Sequence, residues 1–229
     1  MLNLYKDAVT ILLYHGVTKH KSHNIENVSR KHLDIKTFTN HMRFVKQNAN
    51  VISMSDIINM SDAEKISGRH VAITFDDGFE NNYSVAAPIL DKLGVPATFY
   101  ISAGIINTDL MFWVDELEDC INTTTEKNIA VNLGGFKRSF DISSNKKKLE
   151  ALNTIKSHCK KCSSEEKNWI VLQVQEETNV IGLTGRSPNY RKLNWEQVRK
   201  LHSHSLFTIG GHGLYHDVLS KLKPSALRK

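Results

Sequence analysis

Asp76 and Asp77 stand side by side where the short apolar run Val71-Ala72-Ile73-Thr74-Phe75 ends, and Gly78 follows them. Ionised carboxylates at the end of a buried strand are costly unless a cation or a hydrogen-bond network uses them. Neighbouring residues on an extended chain point to opposite faces, so the two acids can serve different roles, one for a metal and one for a proton. About 130 residues downstream lie His212 and His216, in the segment Gly210-Gly211-His212-Gly213-Leu214-Tyr215-His216. Imidazole is a ligand for zinc and similar divalent ions, and three protein ligands plus water is the pattern of a catalytic site. If the chain turns helical after Gly211, the i,i+4 spacing sets both imidazoles on one face, about 6 Å apart at Cβ. Comparison with the zinc-protease pattern His-Glu-x-x-His fails, because Gly213 occupies the place of the general-base Glu. A hydrolytic site on this pair must therefore import an acidic ligand and a base, and Asp76-Asp77 offers one of each. Alone, Asp-Asp-Gly is ordinary turn chemistry. The histidine pair lifts it above that.

Elements must position these groups. Val71 to Phe75 is β-branched and aromatic, bounded by Gly68 and Gly78, and reads as a buried strand. Leu206 to Ile209 reads as a second strand that breaks at Gly210-Gly211. Between Ile101 and Arg191 the pattern changes. A helix is expected from Trp113 to Asn122, a hairpin around Gly134-Gly135 within 130–140, and further helices over Asn145 to His158 and Ser164 to Glu177.

Thr74-Phe75-Asp76-Asp77-Gly78 together with His212-x-x-x-His216 resembles the polysaccharide deacetylase family, also called the NodB homology domain or carbohydrate esterase family 4. The resemblance extends to Asn81-Asn82-Tyr83 and Ala86 through Ile101, to Leu193 through Leu201, and to Leu12-Leu13-Tyr14-His15-Gly16-Val17. It implies an α/β fold, a distorted (β/α) barrel with strands near 9–14, 50–53, 71–75, 97–101 and 206–210. It also implies that Asp77, His212 and His216 bind a divalent metal, commonly zinc, and that Asp76 is the catalytic base. The implied reaction removes an N-acetyl or related acyl group from a carbohydrate. His15 would then share the rim where (β/α)-barrel sites gather, as a substrate contact or as a histidine satisfied by backbone.

Two departures accompany the resemblance. The family usually has Ser or Thr after the first histidine, where this chain has Gly213. The family's later motifs, an arginine-proline segment, an Asp/Trp strand and a Leu-x-His, lie beyond the histidines, and the sequence stops at Lys229. Arg186-Ser187-Pro188 precedes the histidines and reads as loop composition. The expected barrel is therefore incomplete: 1–106 as its N-terminal part, 107–190 as a helical and hairpin insertion, and 191–229 as its continuation. Open strand edges invite association, so an oligomer covering them is expected.

Composition bounds the partners. Thirty Lys+Arg against 24 Asp+Glu give a formal charge of +6, which favours anionic glycans or a phospholipid surface. No nucleic-acid-binding signature accompanies the charge, and no apolar run approaches a membrane span. Ala8 to Leu13 is too short for a secretory signal, so a cytoplasmic setting at the inner membrane face is expected, on lipid- or nucleotide-linked sugars. Three cysteines argue against a disulfide framework; Cys159-x-x-Cys162 reads as structural and Cys120 as core. Trp113 and Trp195 read as helix packing residues. His20, His23, His32, His41, His70, His158, His202 and His204 read as surface or rim residues without convergent partners. Three readings stay open: an active metal-dependent deacetylase, a metal-binding but inactive relative, and a basic glycan- or nucleic-acid-binding domain without metal.

Overall fold

The computed structural model describes residues 4–65, 67–180, 187–217, 219–222 and 224–225. In chain order the strands are β1 (Ala8–Tyr14), β2 (Gly16–Thr18), β3 (His32–Asp34), β4 (Asn50–Val51) and β5 (Arg69–Phe75). They continue with β6 (Ala97–Ile101), β7 (Asn128–Leu133), β8 (Phe136–Asp141) and β9 (Phe207–Gly211). The α-helices begin with α1 (Ile35–Asn48), α2 (Met54–Asn59), α3 (Asp62–Lys65) and α4 (Ala87–Leu93). After them come α5 (Trp113–Thr123), α6 (Asn145–Cys159), α7 (Ser164–Thr178) and α8 (Trp195–His202). The chain divides into two compact units: Met1–Lys21, Ser29–Asp109 and Pro188–Leu214 form one, and Ser22–Val28, Leu110–Ser187 and Tyr215–Lys229 the other.

The first unit is built on a parallel sheet in the order β1-β5-β6-β9, with β4 also pairing β5. Parallel neighbours need long crossovers, and α1, α4 and α8 provide them. β5 is buried at every position after Arg69, as a central parallel strand covered on both faces must be. Its last residue, Phe75, stacks between Tyr14 (5.5 Å) and Phe99 (5.0 Å), and Phe99 meets Phe207 edge-on at 5.5 Å. One aromatic seam thus ties four strands together just beneath the end that carries Asp76. Helix α1 starts on Asp34, whose carboxylate accepts the N–H groups of Lys36 and Thr37, and it buries Phe38, Met42 and Val45 on one face. α8 opens with a reciprocal cap between Asn194 and Gln197. Trp195, the next residue, is 42% exposed, so it is not the packing residue expected from the sequence.

All five strands expected from the sequence are present in that one sheet, and the α/β class holds. The second unit contains the helices and hairpin expected of the insertion, with β7 and β8 antiparallel around Gly134-Gly135. Its core joins Leu117, Ile121, Leu152, Ile155, Ile170 and Val174, and Cys120 and Trp113 pack there as expected. Ile25 belongs to the same core, with its N–H donating to Asn122 Oδ1 at 2.9 Å. No periodicity in 22–28 announces this. Helix α5 also buries Asp115, Glu116, Glu118 and Asp119. Glu116 accepts from Gln175 Nε2 at 2.5 Å, and Lys156 Nζ stands 3.4 Å from Glu118, so these two buried carboxylates are met by donors. Among the described residues no helix is long and apolar enough to cross a membrane. Arg186, read as part of a loop, lies outside the described residues.

Candidate active site

The acid loop leaves β5 under control of its neighbours. Asp76 N–H donates to the Tyr14 carbonyl at 2.9 Å, extending the Tyr14–Phe75 register by one step. Asp77 has φ +80° and Gly78 φ +78°. A non-glycine residue in that region stores about 1–3 kcal/mol of strain and persists only where its surroundings impose it. The segment before α8 supplies that constraint. Leu193 N–H donates to Gly78 O at 3.0 Å, Glu80 N–H to Arg191 O at 2.9 Å, and Lys192 Nζ sits 4.0 Å from the centre of the Phe79 ring. Behind Phe79, the His32 ring packs edge-on at 4.6 Å and its Nδ1 lies 3.0 Å from Asn81 Nδ2. Asn81 Oδ1 in turn accepts the Val17 N–H at 3.3 Å. His32 is therefore buried and partnered, which corrects its assignment to the surface; His70 is buried as well. A π-helical turn over Asn82–Ala86 then leads into α4, a feature that recurs beside functional sites.

The histidine segment is held differently from the sequence expectation. β9 pairs with β6 through Ile101–Gly211. Beyond that register His212 N–H donates to Ile101 O at 2.8 Å, and Ser102 Oγ donates to His212 O at 3.1 Å. Ala103 N–H reaches Gly213 O at 3.2 Å and Gly104 N–H reaches Leu214 O at 2.8 Å. Residues 212–214 thus run beside 102–104, and no helix forms. Their carbonyls are already taken by the neighbouring loop, and Gly213 at φ +72° breaks any helical path. A Cβ at Gly213 would meet nothing within 4 Å, so backbone conformation, not space, is what disfavours a side chain there. His216 also has positive φ, +57°, and belongs to the second unit, where its ring stands 4.7 Å from that of Phe112.

Asp77 and His212 are brought together. Asp77 is 2% exposed, and its Oδ1 lies 3.6 Å from His212 Nε2. That is too long for a hydrogen bond. It is close to the separation of roughly 3.4 Å that tetrahedral geometry gives two donors each about 2.1 Å from one zinc ion. The donor pair therefore fits a divalent metal. Asp76 is half-buried beside it in sequence, and His15 follows Tyr14 at the same sheet edge, also half-buried. Burial pushes the Tyr14 phenol well above its ordinary range, so the residue that anchors Asp76 stays neutral. The Arg191–Leu193 strap was not foreseen as a positioning element; only its adjacency to α8 in the sequence hinted at it.

The family model for polysaccharide deacetylase matches residues 63–229, spanning both the acid loop and the histidine segment. The chain belongs to the polysaccharide deacetylase family. Its α/β fold with a parallel sheet accords with the distorted (β/α) barrel of that family. YxkH of Bacillus subtilis (strain 168), named as a polysaccharide deacetylase, is 30% identical over 93 residues, which is 40% of this chain and 30% of YxkH. Among solved structures, a de-N-acetylase from Aggregatibacter actinomycetemcomitans is similar at 18% identity and TM-score 0.45, over 89% of this chain and 54% of that one. IcaB from Ammonifex degensii is similar at 16% identity and TM-score 0.48, over 97% of this chain and 63% of IcaB. The chain thus spans less than two thirds of the length of these relatives.

Proposed function

We propose that this polysaccharide deacetylase homologue is a metal-dependent hydrolase that removes N-acetyl groups from a carbohydrate of the cell surface. The observation that carries the reading is the 3.6 Å approach of Asp77 Oδ1 to His212 Nε2 at the C-terminal edge of a parallel sheet, with Asp76 next to Asp77 in the chain. Asp77 and His212 would hold the ion, with His216 as third ligand on the family's motif. A mixed carboxylate and imidazole set suits zinc. When bound, such an ion supplies Lewis acidity, making water more acidic and polarising an acyl carbonyl.

Asp76 serves as the base. Its carboxylate takes the proton from the attacking water, and the Tyr14 carbonyl and the Phe75 stack hold its backbone at a fixed place on the rim. The strap from Arg191 to Leu193 keeps Asp77 in its strained conformation, so the ligand is oriented before any ion arrives. The +6 charge suits an anionic glycan or lipid-linked substrate.

The test is acetate release from N-acetylated oligosaccharides by the purified chain with zinc, paired with metal analysis. Acetate release that Asp76→Asn abolishes without loss of metal supports the reading. Metal retained by a wild-type chain that releases no acetate supports a metal-binding but inactive relative instead. A wild-type chain that binds no metal, unchanged by His212→Ala, overturns both.

A further inference from the structure

We propose that His158, Cys162 and Glu166 form a second metal site, in the second unit, for a divalent ion of the zinc class. Each residue offers one donor atom (an imidazole nitrogen, a sulfur and a carboxylate oxygen), and the three lie within 4.8 Å of one another. His158 Nε2 is 2.9 Å from Glu166 Oε1, a hydrogen-bond distance, and an ion held by both would part the two donors to roughly 3.4 Å. The fold builds this convergence. His158 stands in the last turn of α6, Cys162 in the reversal that follows, and Glu166 in the first turn of α7.

Three features suit a ligand set. First, Ser163 caps α7 by accepting the Glu166 N–H through its own hydroxyl, and the Glu166 carboxylate faces His158 instead of folding back over the cap. Second, the hairpin turn orients that carboxylate, because Gly134 N–H donates to Glu166 Oε1 at 3.0 Å, the kind of outer contact that fixes metal ligands. Third, all three side chains are half-buried, sheltered yet open to an ion arriving from solvent. Sulfur with nitrogen and oxygen selects zinc and its neighbours over magnesium or calcium. Three protein donors leave a fourth position for water. Binding replaces the Cys162 thiol proton, which passes to solvent. Cys159 takes no part, since its side chain is buried in the unit's core. The simpler alternative is a His158–Glu166 pair that only pins α6 to α7, with Cys162 as a bystander.

The site is independent of the deacetylase reading, because the first site contains no sulfur. Cobalt(II) titration of the wild-type chain therefore separates the two. A near-ultraviolet sulfur-to-cobalt charge-transfer absorption that saturates within two equivalents, one for each proposed site, is expected, lost in Cys162→Ser and in His158→Gln while the chain stays folded by circular dichroism. Absence of that absorption in the wild type, or its survival in Cys162→Ser, overturns the proposal. Because the variants could unfold, alkylation of the wild type gives a second reading. Excess zinc should slow iodoacetamide labelling of Cys162 by about tenfold or more. Equal rates with and without zinc overturn the proposal.

Discussion

At the scale of single residues, the site depends on two backbone conformations that the sequence writes in different ways. Asp77 adopts φ +80° although it carries a Cβ that disfavours this region, whereas Gly213 adopts φ +72° at little cost. Gly213→Ser should therefore fold with no collision but lose about 1 kcal/mol of stability, read as a lower urea midpoint. A larger loss would mean that space, not conformation, excludes a side chain. For Asp76→Asn the expectation is a fall in acetate release of roughly 10²–10⁴-fold with bound metal unchanged, since only proton transfer is removed. Parallel loss of metal would reassign Asp76 as a ligand.

At the scale of elements, the aromatic seam under the acid loop decides how firmly β5 presents its end. Phe99 is fully buried between Phe75 and Phe207, so Phe99→Ala should cost about 3–5 kcal/mol in urea unfolding. Helix α1 carries a pH-sensitive contact against the same seam, His41 Nδ1 at 3.3 Å from the Tyr14 hydroxyl. Burial holds the His41 imidazole below its ordinary value of 6.5, so the folded chain takes up this proton less readily than the unfolded chain. Its contribution to stability is full above pH 6.5 and is lost as the pH falls through that value towards the lower folded one. The urea midpoint should drop between pH 7 and acid, and His41→Gln should flatten that drop. An unchanged slope in the variant would place the sensitivity elsewhere.

At the scale of the molecule, the two units have separate apolar cores, one around Phe75, Phe99 and Phe38 and the other around Leu117, Leu152 and Ile170. Separate cores unfold as separate cooperative events. Two transitions are expected in urea, followed by fluorescence and circular dichroism together. Leu152→Ala should move only one of them, by about 2–5 kcal/mol. A single transition shifted as a whole would show that the two cores are thermodynamically one. The fold also leaves Ile11 and Leu13 on β1 about half exposed. They lie on a strand whose only sheet partner among the described residues is β5, the apolar edge for which the sequence suggested a covering partner.

The sequence by itself determined the five strands of the parallel sheet, the insertion hairpin and helices, and the identity of the acid and histidine pairs, because those follow from local apolar periodicity, glycine punctuation and motif spacing, whereas the β2–β3 pair was not foreseen. It also placed Asp76 and Asp77 at a strand end, since β5 must be buried and must stop at Gly78. It could not tell that 212–214 would run beside 102–104, because that choice depends on which backbone partners are nearby and not on the i,i+4 spacing. Nor could it find the Arg191–Leu193 strap, the burial of His32 or the approach of His158, Cys162 and Glu166. Each of these joins residues through packing of separate elements, and only the tertiary structure decides such neighbours. The Asp77–His212 distance belongs to the same class: the acid and histidine motifs made a metal site conceivable, and the β5–β6–β9 register brought two of its donors within 3.6 Å.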